Sequence, residues 1–169
     1  MYQKKQTSKF MLTKKTSDKV LQKGYIKIEL FDKDGKLIQI VEKDNTFMAV
    51  GDAHVADQLA ATPGEVAMGW MAVGSSSTPF TTASTTLGDE IDRNALTAGY
   101  PEQQPGAADN DVVYKASWAA GDATGALTEA GIFNSSLAGI MLAASTFAVI
   151  NKGASDTLTV TWTVTCGAS

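Results

Sequence analysis

The sequence predicts a mainly β protein: one antiparallel β-sandwich-like domain with a preceding β-hairpin, one short helix and an extended basic N-terminal arm. Three observations predict it. Residues 157–166, TLTVTWTVTC, place Leu158, Val160, Trp162 and Val164 on one face and five threonines on the other. One apolar and one threonine face describe a half-exposed strand of an antiparallel sheet. Residues 24–43 read as two strands around a Gly-containing turn. Turns then recur at short spacing through the second half of the chain, as they do in sandwiches.

The elements follow in order. Residues 1–23, MYQKKQTSKFMLTKKTSDKVLQK, hold seven lysines and one acid and show no sustained periodicity. They read as an arm, with residues 24–169 forming the domain. A solvated tail is the plain alternative. As a docking arm it offers Lys4, Lys5, Lys9, Phe10, Lys14, Lys15, Lys19 and Lys23 to an acidic partner, with Tyr2, Phe10, Met11, Val20 and Leu21 as apolar anchors. In the hairpin, Ile26, Ile28 and Leu30 share one face and Tyr25, Lys27, Glu29 and Phe31 the other. The Asp32-Lys33-Asp34-Gly35 turn superficially opens a calcium loop, but Lys43 stands where such a loop needs its twelfth-position Glu. Residues 50–61 read as a short helix with Asp52 in its first turn, stopped by Thr62-Pro63-Gly64.

Beyond it come an apolar run at 65–73 and a small-residue stretch at 80–99 carrying Leu87, Ile91 and Leu96. Breaker residues make 100–111 a loop. Strand-like runs follow at 112–119, 128–134 and 140–150, before the threonine strand.

Composition narrows the function. The chain has 169 residues, 44% hydrophobic and 19% charged, the size of one domain with a core. No apolar run reaches the roughly 18 residues of a membrane helix, and no apolar stretch follows the N-terminal lysines as in a secretory signal. No membrane association is expected. The only histidine is His54 and the only cysteine is Cys166. Histidine-based triads, two-histidine metal sites and an internal disulfide are therefore excluded. No cofactor and no enzymatic activity are expected.

The net charge of −4 conceals a split. Residues 1–43 hold eleven lysines against five acids, a net +6. Residues 44–169 hold Arg93, Lys115 and Lys152 against thirteen acids, a net −10. Nucleic acid is not the expected partner, because the arm lacks arginine and its aromatics are limited to Tyr2 and Phe10.

The remaining motifs favour structure over chemistry. Asp89, Glu90 and Asp92 near Arg93 read as an acidic patch with one acid paired to the arginine. A glycosidase carboxylate pair is the sharper alternative. Trp70, Trp118 and Trp162 read as core or interface packing ahead of a carbohydrate platform. The six methionines suggest adaptable apolar packing. Gly121–Gly125 lacks a following helix and makes no phosphate cradle.

Two segments carry a resemblance. MGWMAVGSSSTPFTTASTTLGDEIDRNAL combines Met-Ala-Val-Gly, a Ser/Thr-rich loop and Leu-x-x-Glu-x-x-Arg. TEAGIFNSSLAGIMLAASTFAVINKGASDTLTVTWTV forms the matching half, with Glu129–Asn134 and Asn151-Lys-Gly followed by Asp156-Thr-Leu as its marks. Together they resemble the small virion structural proteins of tailed bacteriophages, the head-decoration, head-fibre and tail-fibre-like group, over residues 24–165. The chain departs from the pattern at Ala143-Ala144, where a cationic residue is expected. The resemblance implies a capsid decoration (cement) protein on the outer surface of the head. It would bind the major capsid protein or other virion proteins as a homo-oligomer, with a trimer favoured. The alternative is a tail, neck or fibre component acting as adaptor or in host attachment.

Overall fold

The structure is a computed structural model that describes residues 21–60, 63–104 and 110–167. Among the described residues, ten antiparallel strands form two five-stranded sheets. The first sheet, in the order β2-β1-β10-β7-β6, uses β1 (Leu21–Phe31), β2 (Leu37–Asp44), β6 (Glu102–Gln104), β7 (Asp111–Trp118) and β10 (Thr157–Gly167). The second, in the order β3-β9-β8-β4-β5, uses β3 (Thr46–Phe47), β4 (Trp70–Gly74), β5 (Glu90–Ala95), β8 (Gly125–Phe133) and β9 (Met141–Lys152). The mainly β, sandwich-like expectation holds.

Alternation fixes the inner faces. Ile26, Ile28 and Leu30 of β1 are buried, as are Leu158, Val160, Trp162 and Val164 of β10. They meet Met71, Val73, Leu127, Ala130 and Ile132 from the second sheet in one core. On the outer face of the first sheet, Thr159, Thr161 and Thr163 of β10 stand opposite Glu29, Lys27 and Tyr25. That face stays half-exposed. The second sheet's outer face is covered instead. Met48, Leu87, Phe133 and Met141 form a second, smaller core there.

The one helix among the described residues, α1 (Ala49–Gln58), helps to cover that face with Val50. Gly51 makes its approach to β9 possible, since a Cβ there would lie 2.8 Å from the Leu142 Cα. The helix begins at Met48 without a side-chain cap, with Asp52 donating its N–H to the Met48 carbonyl. Asp57 closes the far end: its carboxylate accepts the N–H groups of Gly64 (3.0 Å) and Glu65 (2.9 Å). These bonds, that from Gly64 first, hold its carboxyl below the usual carboxylate range. Thr62, assigned to the stop signal, lies outside the described residues.

Several boundaries differ from expectation. β1 pairs with β10 along its whole length, from Leu21 opposite Gly167 to Phe31 opposite Thr157, so the hairpin is built into the first sheet. β1 also begins at Leu21, which moves the end of the arm back from residue 23. Lys23 is a ladder residue opposite Thr165. The apolar run at 65–73 contributes only β4, ahead of which Gly69 donates to the Phe133 carbonyl and accepts the Leu96 N–H. The expected loop at 100–111 contains β6, three residues paired to β7.

Candidate functional site

The two segments that carry the resemblance meet in one place. β4 lies between β5 and β8, with Ala72 opposite Arg93 on one side and opposite Gly131 on the other. Glu129, at the start of this contact on β8, is wholly buried. Its carboxylate accepts the N–H groups of Asp89 (2.7 Å), Gly88 (2.9 Å) and Ser76 (3.3 Å). One side chain thereby ties both ends of the 75–89 loop to the second sheet. Gly88 has no side chain because a Cβ there would run into Ser76.

Arg93 is the second tie. Its Nε and one terminal nitrogen donate to the two oxygens of Glu90 (2.9 and 2.6 Å). Its other terminal nitrogen donates to the carbonyls of Ser135 and Ala138, both at 2.8 Å. The guanidinium carbon stands 3.7 Å from the centroid of the Phe133 ring. The planar five-donor fork suits this arrangement, and a lysine could not reproduce it. Asn134 accepts the Ile140 N–H at 2.7 Å and closes the same turn.

The acidic cluster is thus employed in structure. Arg93 engages Glu90, as expected of the patch reading. Asp89 accepts the Ser75 hydroxyl, and Asp92 accepts the Arg93 N–H at 2.9 Å. The Asp32 turn is likewise structural: one carboxylate oxygen accepts the N–H groups of Asp34 and Lys36, both at 2.9 Å. Among the described residues, no group of three or more His, Cys, Asp or Glu side chains is placed to hold a metal ion.

The other singled-out residues fall in separate places. Trp118 and Trp162 are wholly buried and Trp70 is half-buried. The Trp162 ring N–H donates to the Asn45 side-chain oxygen at 3.1 Å. His54 is buried on α1, and its Nδ1 makes no hydrogen bond. Cys166 is a free, exposed thiol whose pKa is pushed up by desolvation and then by nearby Asp111. That thiol is a weak nucleophile. Of the arm residues, Lys4, Lys5, Lys9, Phe10, Lys14, Lys15 and Lys19 lie outside the described residues. Of the arm's lysines only Lys23 is placed.

Two features escaped the sequence reading. Glu129 is a lone acid in a strand otherwise buried to its end, and that isolation was the available signal. Lys152 is 2% exposed, its ammonium donating to the Ala119 carbonyl at 2.9 Å. Burial pushes its pKa down, while Asp122, Asp156 and Asp92 push the other way.

The edges of the sheets differ in accessibility. β6 and β3 are very short, and β5 carries Glu90, Asp92 and Arg93. β2 has eight residues and exposes Leu37 (43%), Ile38 (49%) and Ile40 (47%). Long apolar edges are where other chains add. No helix among the described residues is long and apolar enough to cross a membrane. No family model, curated protein or solved structure matched this chain.

Proposed function

We propose that this chain is a virion structural protein of a tailed bacteriophage that binds the outer surface of the head and stabilises the assembled shell. The mechanism is mass action: a protein that binds only the assembled lattice shifts the equilibrium towards it. The lysine-rich segment reaches over acidic capsid subunits, and the sandwich is its mooring. The observation that carries this reading is the position of β1. It continues directly from the lysine-rich segment and is held in the first sheet between β2 and β10. Load taken by the lysines passes straight into a fully paired strand. The engagement of Glu129, Arg93, Glu90 and Asp89 in structural bonds supports a binding role over a hydrolytic one.

The test is a truncation combined with imaging. Removing residues 1–20 spares every rung of β1, whereas a cut after residue 23 would strip three pairs from the β1–β10 ladder. Shells mixed with the truncated protein should show reduced occupancy, and unchanged occupancy rejects the arm. Imaging of the native virion should find many copies on the head. A few copies confined to the neck or tail would replace this reading with an adaptor or fibre role.

A further inference from the structure

We propose that the apolar patch made by Leu59, Val66 and Leu137 is the docking surface for this chain's own segment 9–15, Lys-Phe-Met-Leu-Thr-Lys-Lys, folded back from the same molecule. This goes beyond the proposed function and does not depend on which surface the protein binds.

Leu59, Val66 and Leu137 are the three most exposed large apolar side chains among the described residues, at 84%, 67% and 83%. A chain of hydrogen bonds gathers them at one end of the sandwich. Asp57, just ahead of Leu59, accepts the N–H groups of Gly64 and Glu65. The Gln58 side chain donates to the Glu65 carbonyl at 2.6 Å, and the Asn134 side chain donates to the Glu65 carboxylate at 3.3 Å. Leu137 lies in the turn that Asn134 closes. There the Ser135 hydroxyl donates to the Leu137 carbonyl at 2.9 Å, and Arg93 holds the carbonyls of Ser135 and Ala138. A side chain presented by so well-held a turn loses little freedom on docking. Single exposed apolar residues are ordinary, but several gathered at one place mark an interaction surface.

Charge, exit point and reach together name the occupant. Residues 44–92 hold seven acids and no lysine or arginine, and Asp57 and Glu65 belong to the bonded chain that gathers the patch. Arg93 reaches the turn, but its side chain is 7% exposed and paired with Glu90. The patch therefore fits an apolar segment with basic flanks. Phe10-Met11-Leu12 is the longest apolar run of residues 1–20, with Lys9 before it and Lys14 and Lys15 after it. The exit point is at the right end. The Asp44 carbonyl, opposite Tyr25 early in β1, accepts the Ser145 hydroxyl of β9. Further along β9, the Val149 carbonyl accepts from Gln39, which stands opposite Leu30 late in β1. β1 and β9 thus run the same way, and β1 begins at the end where the 134–140 turn leads into β9. Nine Cα steps lead from Leu12 to Leu21. They reach up to about 30 Å, against about 10 Å between packed sheets. So short a tether gives segment 9–15 an effective concentration of about millimolar, which favours its own patch over that of a second copy.

The experiment is paramagnetic relaxation measured by NMR on the full chain. A spin label on Ser8→Cys, in a Cys166→Ser background, should broaden the backbone amides of Leu59, Val66 and Leu137. Phe10→Ser combined with Leu12→Ser should abolish that broadening. Lys14→Glu combined with Lys15→Glu should lower the ratio of docked to free arm about threefold. Leu137→Ser removes one anchor of the patch and should lower the ratio about tenfold. Leu137 is largely exposed, so folding should be unaffected, and circular dichroism checks this. If that variant misfolds, the arm substitutions read the same contact from the other side. Isotope-labelled protein without a spin label, mixed with spin-labelled protein at natural abundance, should show no broadening. Broadening there would make a second copy's arm the occupant and overturn the inference. Three other results overturn it: no broadening at the three amides, broadening centred on the threonine face of the first sheet, or broadening indifferent to the loss of Phe10 and Leu12.

Discussion

Replacing Glu129 with alanine tests whether the buried carboxylate organises the second sheet. The structure sets the scale. Glu129 is wholly buried and receives three backbone N–H groups, two of them short, from Asp89 and Gly88. Each buried donor left without a partner costs about 1–3 kcal/mol. The longer bond from Ser76, 3.3 Å, adds little. The sum is about 2–6 kcal/mol, a large part of the roughly 5–15 kcal/mol that holds a domain folded. For a chain of this length, about 2–4 °C per kcal/mol puts the fall in Tm at about 4–24 °C. Glu129→Gln keeps the volume and one acceptor but turns an NH2 towards a donor, so its loss should be about half as large. Glu102→Gln, on exposed β6, is the control and should stay within about 0.5 kcal/mol. Urea unfolding supplies the free energies. Amide exchange supplies the localisation, since Gly88 and Asp89 should lose protection first. A Glu129→Ala protein within 1 kcal/mol of wild type, with those two amides still protected, would refute the clamp.

Three further outcomes follow from the same structure. Arg93→Lys should cost about 2–4 kcal/mol in urea unfolding, because the fork on Glu90 and the bonds to Ser135 and Ala138 cannot be rebuilt by an ammonium; a loss under 0.5 kcal/mol would contradict this. Gly51→Ala should lower Tm although alanine favours a helix by about 1 kcal/mol, since its Cβ would press on the Leu142 backbone; a raised Tm would show that α1 can shift without cost. Burial, and then Cys166, pushes the Tyr114 phenol up to about 12. The folded state therefore keeps its proton while the unfolded chain, with an ordinary tyrosine near 10, has lost it. Stability contributed by Tyr114 is present below pH 10 and is lost as pH rises towards about 12, by about 2–3 kcal/mol. Tyr114→Phe should remove that loss in paired unfolding curves at pH 9 and pH 11.5. Lys152, shifted the opposite way, is common to both proteins and cancels. Parallel curves would exclude Tyr114 as the source.

The parts of the fold legible in the sequence were those governed by local periodicity. β1 and β10 alternate cleanly because each has one face in the core and one towards solvent, so Ile26, Ile28, Trp162 and Val164 declared themselves. β4, the later half of β8 and the first half of β9 are covered on both faces, and their apolar runs carry no alternation from which to read register or ends. β6 was hidden because its three residues, Glu-Gln-Gln, look like loop and are too few to show alternation, although they pair with the next strand, β7. The ion pair of Arg93 with Glu90 was visible from spacing. The carbonyls it reaches at Ser135 and Ala138 were not, because they lie more than forty residues away. The same non-locality hid the loop amides that Glu129 gathers. The edge exposure of β2 depends on the order of strands in the sheet, which the hairpin's own pattern does not contain.

The pairing of Leu21 with Gly167 has a mechanical consequence. The chain enters the first sheet through β1 and leaves it through β10 at the same corner. Tension applied between those two points would peel the strands apart one rung at a time, at low force. Tension between the entry point and Thr157, at the opposite end of β10, would shear β1 against β10, so that all of their rungs resist together. A tether attached ahead of Leu21 is therefore strong in one direction of pull and weak in the other.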